Sequence, residues 1–208
     1  MMPSLNEVDM MMRKASLGAG WSLGLAHDIG EAAAWLCQNG WDGVSAALAT
    51  IQTKPGTLVS TRSDDRWIIG PAPIGLAGPT ALDLVVATFA PVEILLTDDP
   101  LLFLGLMACI SRSSGLDLVA TGALSAVICS GTLCGPTKLD PTQSRIMISA
   151  GAAHPVETTD GSIATSIQPN AANWEIARAL AARMLVPATA ASRNSGAGPG
   201  TPERKPDQ

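Results

Sequence analysis

The stretch from Ser22 to Gly40 restricts the fold more than any other part of the chain. Ser22 can cap a helix at its start, and Gly40 can end it in a left-handed conformation. Between them Leu25, Ile29, Ala32 and Leu36 recur at helical spacing, and Ala26, Gly30, Ala33, Ala34 and Cys37 make an adjoining face of small side chains. Together the two faces take about half of the helix circumference. A helix with one wet side and one dry side needs less apolar surface than this. The pattern therefore predicts a central helix, approached closely by two neighbours.

Helices flank it. Ser4-Leu5-Asn6-Glu7 has the form of a capping box, and Leu5, Val8, Met12 and Ala15 then follow on one stripe. This first helix gives out in Leu17-Gly18-Ala19-Gly20. Asp42 caps a short third helix from Gly43 to about Ile51. After Lys54-Pro55-Gly56 the pattern changes to strands: Arg66 to Ile69, Val92 to Thr97, Leu116 to Ala120, Ala123 to Cys129, Arg145 to Ser149 and Ser162 to Gln168. Residues 71–80, rich in Pro and Gly, read as a loop, and Ala81 to Ala90 fits either a helix or a buried strand. Asp99-Pro100 opens a helix that runs to about Arg112 and stops at Gly115. Asn170 caps a last helix to Leu185, with Trp174, Ala177, Leu180, Ala181 and Met184 inward. The order predicts an α+β fold in which N-terminal helices lie on a mixed or antiparallel sheet, followed by a C-terminal helix. Residues 1–187 form one globular domain, and residues 188–208 a terminal motif with a loose tail.

Composition decides what the chain can contact. Of its 208 residues 47% are hydrophobic and only 15% charged, and five Trp, two Phe and no Tyr leave the core to aliphatic side chains. A net charge of −5 argues against a nucleic-acid partner. The longest apolar run, Leu101 to Ile110, is far short of the roughly 20 residues that a bilayer requires. No membrane association is expected. Residues 1–20 hold Glu7, Asp9, Arg13 and Lys14, which is not a secretory signal, and Cys37, Cys109, Cys129 and Cys134 read as free thiols of a reducing cytoplasm. Two histidines, His27 and His154, and four dispersed cysteines supply no metal site, and no cofactor motif is present. So little polar surface predicts a homo-oligomer, most simply a dimer.

Four places could carry chemistry. The Gly18-Ala19-Gly20 loop leads into a helix start at Ser22, where backbone N–H groups can hold a carboxylate or phosphate; two glycines in a tight turn explain the same residues without a ligand. His27 has Glu31 one turn on, a pair able to act as general base and orienting carboxylate or simply to favour the helix, while Asp28 points elsewhere. Cys134 with His154 is a conceivable nucleophile pair, but its surroundings lack a nucleophile elbow. Asp64-Asp65 and Asp98-Asp99 sit at turns and helix starts, where capping accounts for them. Behind the last helix, Val186 to Gly198 joins hydroxyls and Arg193 to flexible backbone, a combination suited to clamping a carboxylate.

The opening Ser4-Leu5-Asn6-Glu7, the run K-A-S-L-G-A-G-W-S-L-G-L-A over 14–26 and V-P-A-T-A-A-S-R-N-S-G-A-G over 186–198 resemble motifs at the two ends of an uncharacterised bacterial family, a domain of unknown function. The resemblance covers roughly residues 4–36 and 185–198, and it implies kinship without a reaction. The sequence thus predicts a protein that binds a small anionic, carboxylate-bearing metabolite through Gly18, Gly20, Ser22, Thr189, Ser192 and Arg193, and leaves open whether it is a small metabolic enzyme with His27 and Glu31 as candidate catalytic groups. The alternative is a non-catalytic, oligomeric accessory protein, favoured by a mean hydropathy of +0.26.

Overall fold

The computed structural model describes residues 3–53, 56–140, 142–151 and 170–184. Three helices come first: α1 (Leu5–Gly18), α2 (Leu23–Gln38) and α3 (Gly43–Ile51). The strands β1 (Ser60–Arg62) and β2 (Trp67–Ala72) lead to α4 (Ile74–Thr88), β3 (Val92–Leu96) and α5 (Leu101–Ser114). The strands β4 (Leu118–Gly122), β5 (Leu124–Cys129), β6 (Thr132–Leu133), β7 (Lys138–Leu139) and β8 (Arg145–Ala150) follow, and α6 (Ala171–Ala182) is the last described element. The fold is α+β. The expected strand over 162–168, His154 and the motif at 186–198 lie outside the described residues.

The strands form one mixed sheet in the order β1-β2-β3-β8-β4-β5-β6, with β7 beside β5. Among the described strands only β2 and β3 pair in parallel, and α4 is the crossover between them. Period-two alternation separates the two faces. Ala120, Ala126, Ile128, Ile146 and Ile148 are buried, whereas Val119, Val127, Met147 and Ser149 between them are partly exposed. Helices α4 and α5 pack against the sheet, α2 lies on α5, and α1 packs between α2 and α6. The expected central helix is therefore α2, buried through Ile29, Ala32, Ala33 and Leu36.

Small residues let these helices approach. A Cβ on Gly105 of α5 would come within 2.5 Å of the Ala32 carbonyl oxygen on α2. Gly43 meets the Ala33 backbone in the same way. The small-residue face of α2 is thus a packing device.

Residues 71–80 correct the sequence reading. They do not form a loop: Pro73 occupies the N-cap of α4, and Ile74 to Thr80 are its first two turns. The glycines there serve contact and not flexibility, since Gly75 faces Thr50 and Ile29 and Gly78 faces Leu106 and Phe103. The ambiguous Ala81 to Ala90 stretch completes the same helix, which Phe89 ends with a left-handed φ of 56°. Elsewhere the expected caps form. Glu7 and Ser4 complete the capping box, Asp42 accepts the Ser45 N–H, and Asn170 accepts the Ala172 N–H. Ser22 stands at the N-cap of α2 without a side-chain capping bond. On α6, Ala177 and Leu180 are buried as expected, but Met184 is exposed. Among the described residues no helix is long and apolar enough to cross a membrane.

Candidate functional site

A cleft of about 390 Å³ lies where α2, α4 and α5 meet. Helix periodicity supplies its lining. Leu106, Cys109, Ile110 and Ser113 recur along one side of α5, Pro79 and Asp83 are one turn apart on α4, and His27 and Glu31 are one turn apart on α2. Leu82 and Leu106 make the floor apolar, while His27, Asp28, Glu31, Asp83 and Arg112 make the walls polar.

The walls are loosely paired. His27 Nδ1 lies 3.8 Å from Asp28 Oδ1 and 3.9 Å from Glu31 Oε2, and Arg112 Nη2 lies 3.8 Å from Glu31 Oε1. These separations exceed hydrogen-bond length, so each group keeps capacity for another partner. Burial pushes the Asp28 carboxyl above its ordinary value, and Asp83 and Glu31 add to the shift against the opposing pull of His27 and Arg13. The Cys109 thiol is pushed up to about 12, first by burial and then by Glu31, which leaves it protonated.

The expected His27–Glu31 pair is thus brought together. Asp28 does not point elsewhere: it lines the same cleft, because successive helix positions differ by only about 100° and a half-buried aspartate at the edge of α2 reaches toward α4. The sequence reading missed Asp83, Cys109 and Arg112. Asp83 falls in the stretch that fits helix and strand equally, and Arg112 at the end of α5 carries no local signal of what α5 faces.

The Gly18–Ser22 segment has a different environment. Ala19 N–H donates to Ala15, Gly20 N–H to Leu17 and Trp21 N–H to Ser16, so these donors close the C-terminus of α1. Gly20 has a φ of +95°, which suits this turn. Gly18 is needed for contact, because a Cβ there would collide with the Leu180 carbonyl of α6. Their expected partners Thr189, Ser192 and Arg193 lie outside the described residues, as does His154. Cys134 follows β6 near Cys129, with its N–H bonded to the Val127 carbonyl.

Of the carboxylate pairs, Asp99 caps as expected, whereas Asp65 meets the Arg66 guanidinium at 3.4 Å and Asp98 binds across the fold. Asp99 accepts the Leu101 N–H at the start of α5. Asp98 reaches across to α4, where Oδ1 accepts the Ile74 N–H at 2.7 Å, and it takes the hydroxyl hydrogen bond of Thr50 on α3. Among the described residues no group of three or more His, Cys, Asp or Glu could hold a metal ion.

Residues 3–76 match the model of a family described as a protein of unknown function (DUF3726). The match takes in the N-terminal motifs together with His27, Asp28 and Glu31, and ends inside α4 before Asp83. Resemblance to an uncharacterised family of unknown function therefore stands for this part of the chain. No curated protein matches the chain. Among solved structures, a malate dehydrogenase from Entamoeba histolytica is similar at 11% identity and a TM-score of 0.47, over 60% of this chain. The chain spans only 39% of that enzyme's length, and the likeness assigns neither fold kinship nor activity.

Proposed function

We propose that the protein binds a small metabolite bearing a cationic group beside a carboxylate, in the cleft between α2, α4 and α5. The observation that carries this reading is the gathering of Asp28, Glu31 and Asp83 around one opening whose lining, among the described residues, includes one guanidinium, Arg112. Like charges brought together around a half-buried carboxylate raise the free energy of the empty site, and a bound ammonium group lowers it. Arg112 at the rim is the matching anchor for a carboxylate. A volume of about 390 Å³ falls within the range of roughly 300–1,000 Å³ usual for small-molecule sites. The carboxylate expected from the sequence is kept; the cationic group is added, and the site moves away from Gly18–Ser22. Binding is the whole of this reading, since it requires no reaction at His27 or Cys109.

A thermal-shift screen tests it. Amino acids are compared with their deaminated and decarboxylated analogues on wild-type protein and on Asp28→Asn and Arg112→Ala. The zwitterions should raise the melting temperature, with smaller shifts for both analogue classes and both variants. Deaminated acids that stabilise as well as their parents would overturn the reading.

The second reading, an oligomeric accessory protein, draws on Leu23 and Phe89, residues that are 75% and 64% exposed. Light scattering distinguishes a dimer from the 21.3 kDa monomer.

A further inference from the structure

Cys129 ends β5 and Cys134 follows β6, on the two arms of one tight hairpin. Ile128 pairs with Leu133 and Cys129 with Thr132, leaving Ser130 and Gly131 as a two-residue turn with φ of 49° and 81°. The Cys134 N–H donates to the Val127 carbonyl across 2.8 Å, which places Cys134 opposite Val127 and one diagonal step from Cys129. Along β5, Leu124, Ala126 and Ile128 are buried while Ser125, Val127 and Cys129 are partly exposed, so both sulfurs lie on the accessible face. The Cys134 S–H donates to the Thr132 carbonyl at 3.6 Å, and burial, with Cys134 and Asp117 beside it, pushes the Cys129 thiol up to about 12. Asp117 completes the cluster: Leu118 pairs with Ile128, so Asp117 comes beside Cys129.

We propose that Cys129 and Cys134 form a reversible thiol–disulfide modification site, oxidised by a small-molecule disulfide such as oxidised glutathione. The sulfur of Cys134, as thiolate, attacks one sulfur of the oxidant. A mixed disulfide forms, and one glutathione thiolate leaves. The sulfur of Cys129 then attacks the Cys134 sulfur of the mixed disulfide, the bond between Cys134 and glutathione breaks, the second glutathione leaves as thiolate, and the Cys129 proton passes to solvent. Two protein thiols and one disulfide become one protein disulfide and two glutathione thiols, so the electrons balance without a further reactant.

The geometry also makes the bond easy to reverse. Diagonal neighbours in a flat ladder are about 7–8 Å apart, whereas a relaxed disulfide spans roughly 4.4–6.8 Å between Cα atoms. The hairpin must twist to close the link, and a disulfide formed under strain is the more readily reduced. Closure also acts on a fixed point, because Gly131 N–H donates to Ser111 Oγ on α5 and Gly131 O accepts from Trp35 Nε1 on α2, each at 3.1 Å.

The test uses the full chain, incubated with excess oxidised glutathione, alkylated under native conditions and digested with trypsin. Ser113 to Lys138 is one tryptic peptide and contains both cysteines. In wild-type protein it should be two hydrogens lighter, carry no glutathione and return to its reduced mass with dithiothreitol. Cys129→Ser should leave a stable glutathione adduct on Cys134, with an unchanged far-UV circular dichroism spectrum. A persistent adduct on wild-type Cys134, or two unmodified thiols after prolonged incubation, would overturn the proposal.

Discussion

Trp35 on α2 donates its indole N–H across 3.1 Å to the carbonyl oxygen of Gly131, a turn residue 96 positions further along the chain. The bond ties the middle helix to the far edge of the sheet, and Ser111 on α5 fixes the same glycine through its N–H. Three layers therefore meet at one residue with a φ of +81°, and a Cβ there would come within 2.6 Å of the Arg112 Cβ.

Gly131→Ala should consequently destabilise the protein by about 1–3 kcal/mol, through left-handed strain and displacement of Arg112. Trp35→Phe, which leaves the carbonyl without its donor but keeps most of the ring, should cost about 1 kcal/mol. Urea unfolding followed by far-UV circular dichroism checks both. A Gly131→Ala variant as stable as wild type would show that the turn relaxes freely.

Gly105 makes the sharper packing prediction. Its added Cβ would meet backbone atoms of Ala32 and not the end of a flexible side chain, so α2 and α5 would have to separate. Gly105→Ala should cost about 1–3 kcal/mol despite its better helix propensity. Gly24, on the exposed start of α2, is the matched control, because a Cβ added there would have no neighbour within 4 Å. Gly24→Ala should be neutral or slightly stabilising in the same urea titration.

This contrast also explains what can be read in advance. Ser4, Asp42 and Asn170 act within four residues of themselves, so their capping roles are legible in sequence, as is the alternation of Ile146 and Ile148. The start of α4 is not. Pro73, Gly75 and Gly78 carry the composition of a loop, yet two of them are glycines because Thr50 and Leu106 approach from elsewhere in the fold. His27 and Glu31 share a helix and can be paired by counting. Asp83 and Arg112 join them only through the packing of α4 and α5, which no local pattern encodes.

Asp98 sets a pH dependence. Burial raises its carboxyl above the ordinary value, outweighing the hydrogen bonds from Thr50 and Ile74 N–H that lower it. Its folded pKa exceeds its unfolded pKa, so the folded chain binds the proton more tightly. The associated stability is fully present below the unfolded value and is lost as pH rises through the folded one. Asp98→Asn keeps an acceptor for Ile74 N–H and cannot titrate. In urea titrations across the acidic range, the decline with rising pH should be shallower for Asp98→Asn than for wild type. An identical pH profile would assign the dependence to other groups, Asp28 among them.

Glu93 tests the other face of the sheet. It is only 7% exposed, and its two oxygens meet Arg66 Nε at 3.1 Å and Arg145 Nη1 at 3.0 Å. Removing the carboxylate leaves both guanidinium groups facing each other without it, so Glu93→Ala should destabilise by about 1–3 kcal/mol. Glu93→Gln retains an acceptor and should lose less. Equal losses for the two variants, measured by urea unfolding, would mean that side-chain packing and not charge is what Glu93 contributes.

The cleft gives the last prediction, and it couples stability to binding. Asp83 is exposed and adds to the upward shift of the half-buried Asp28 across the opening. In the empty protein that repulsion is unfavourable, though screened by solvent and worth less than about 1 kcal/mol. Asp83→Asn should therefore leave the unliganded melting temperature unchanged or slightly higher. The same change removes part of the field that favours a cation, so the thermal shift caused by a zwitterionic ligand should shrink. The two effects run in opposite directions, which a simple loss of fold cannot produce. High salt should weaken both, because each depends on charges that solvent partly reaches. A variant with reduced unliganded stability and an undiminished ligand shift would show that Asp83 supports α4 and takes no part in the site.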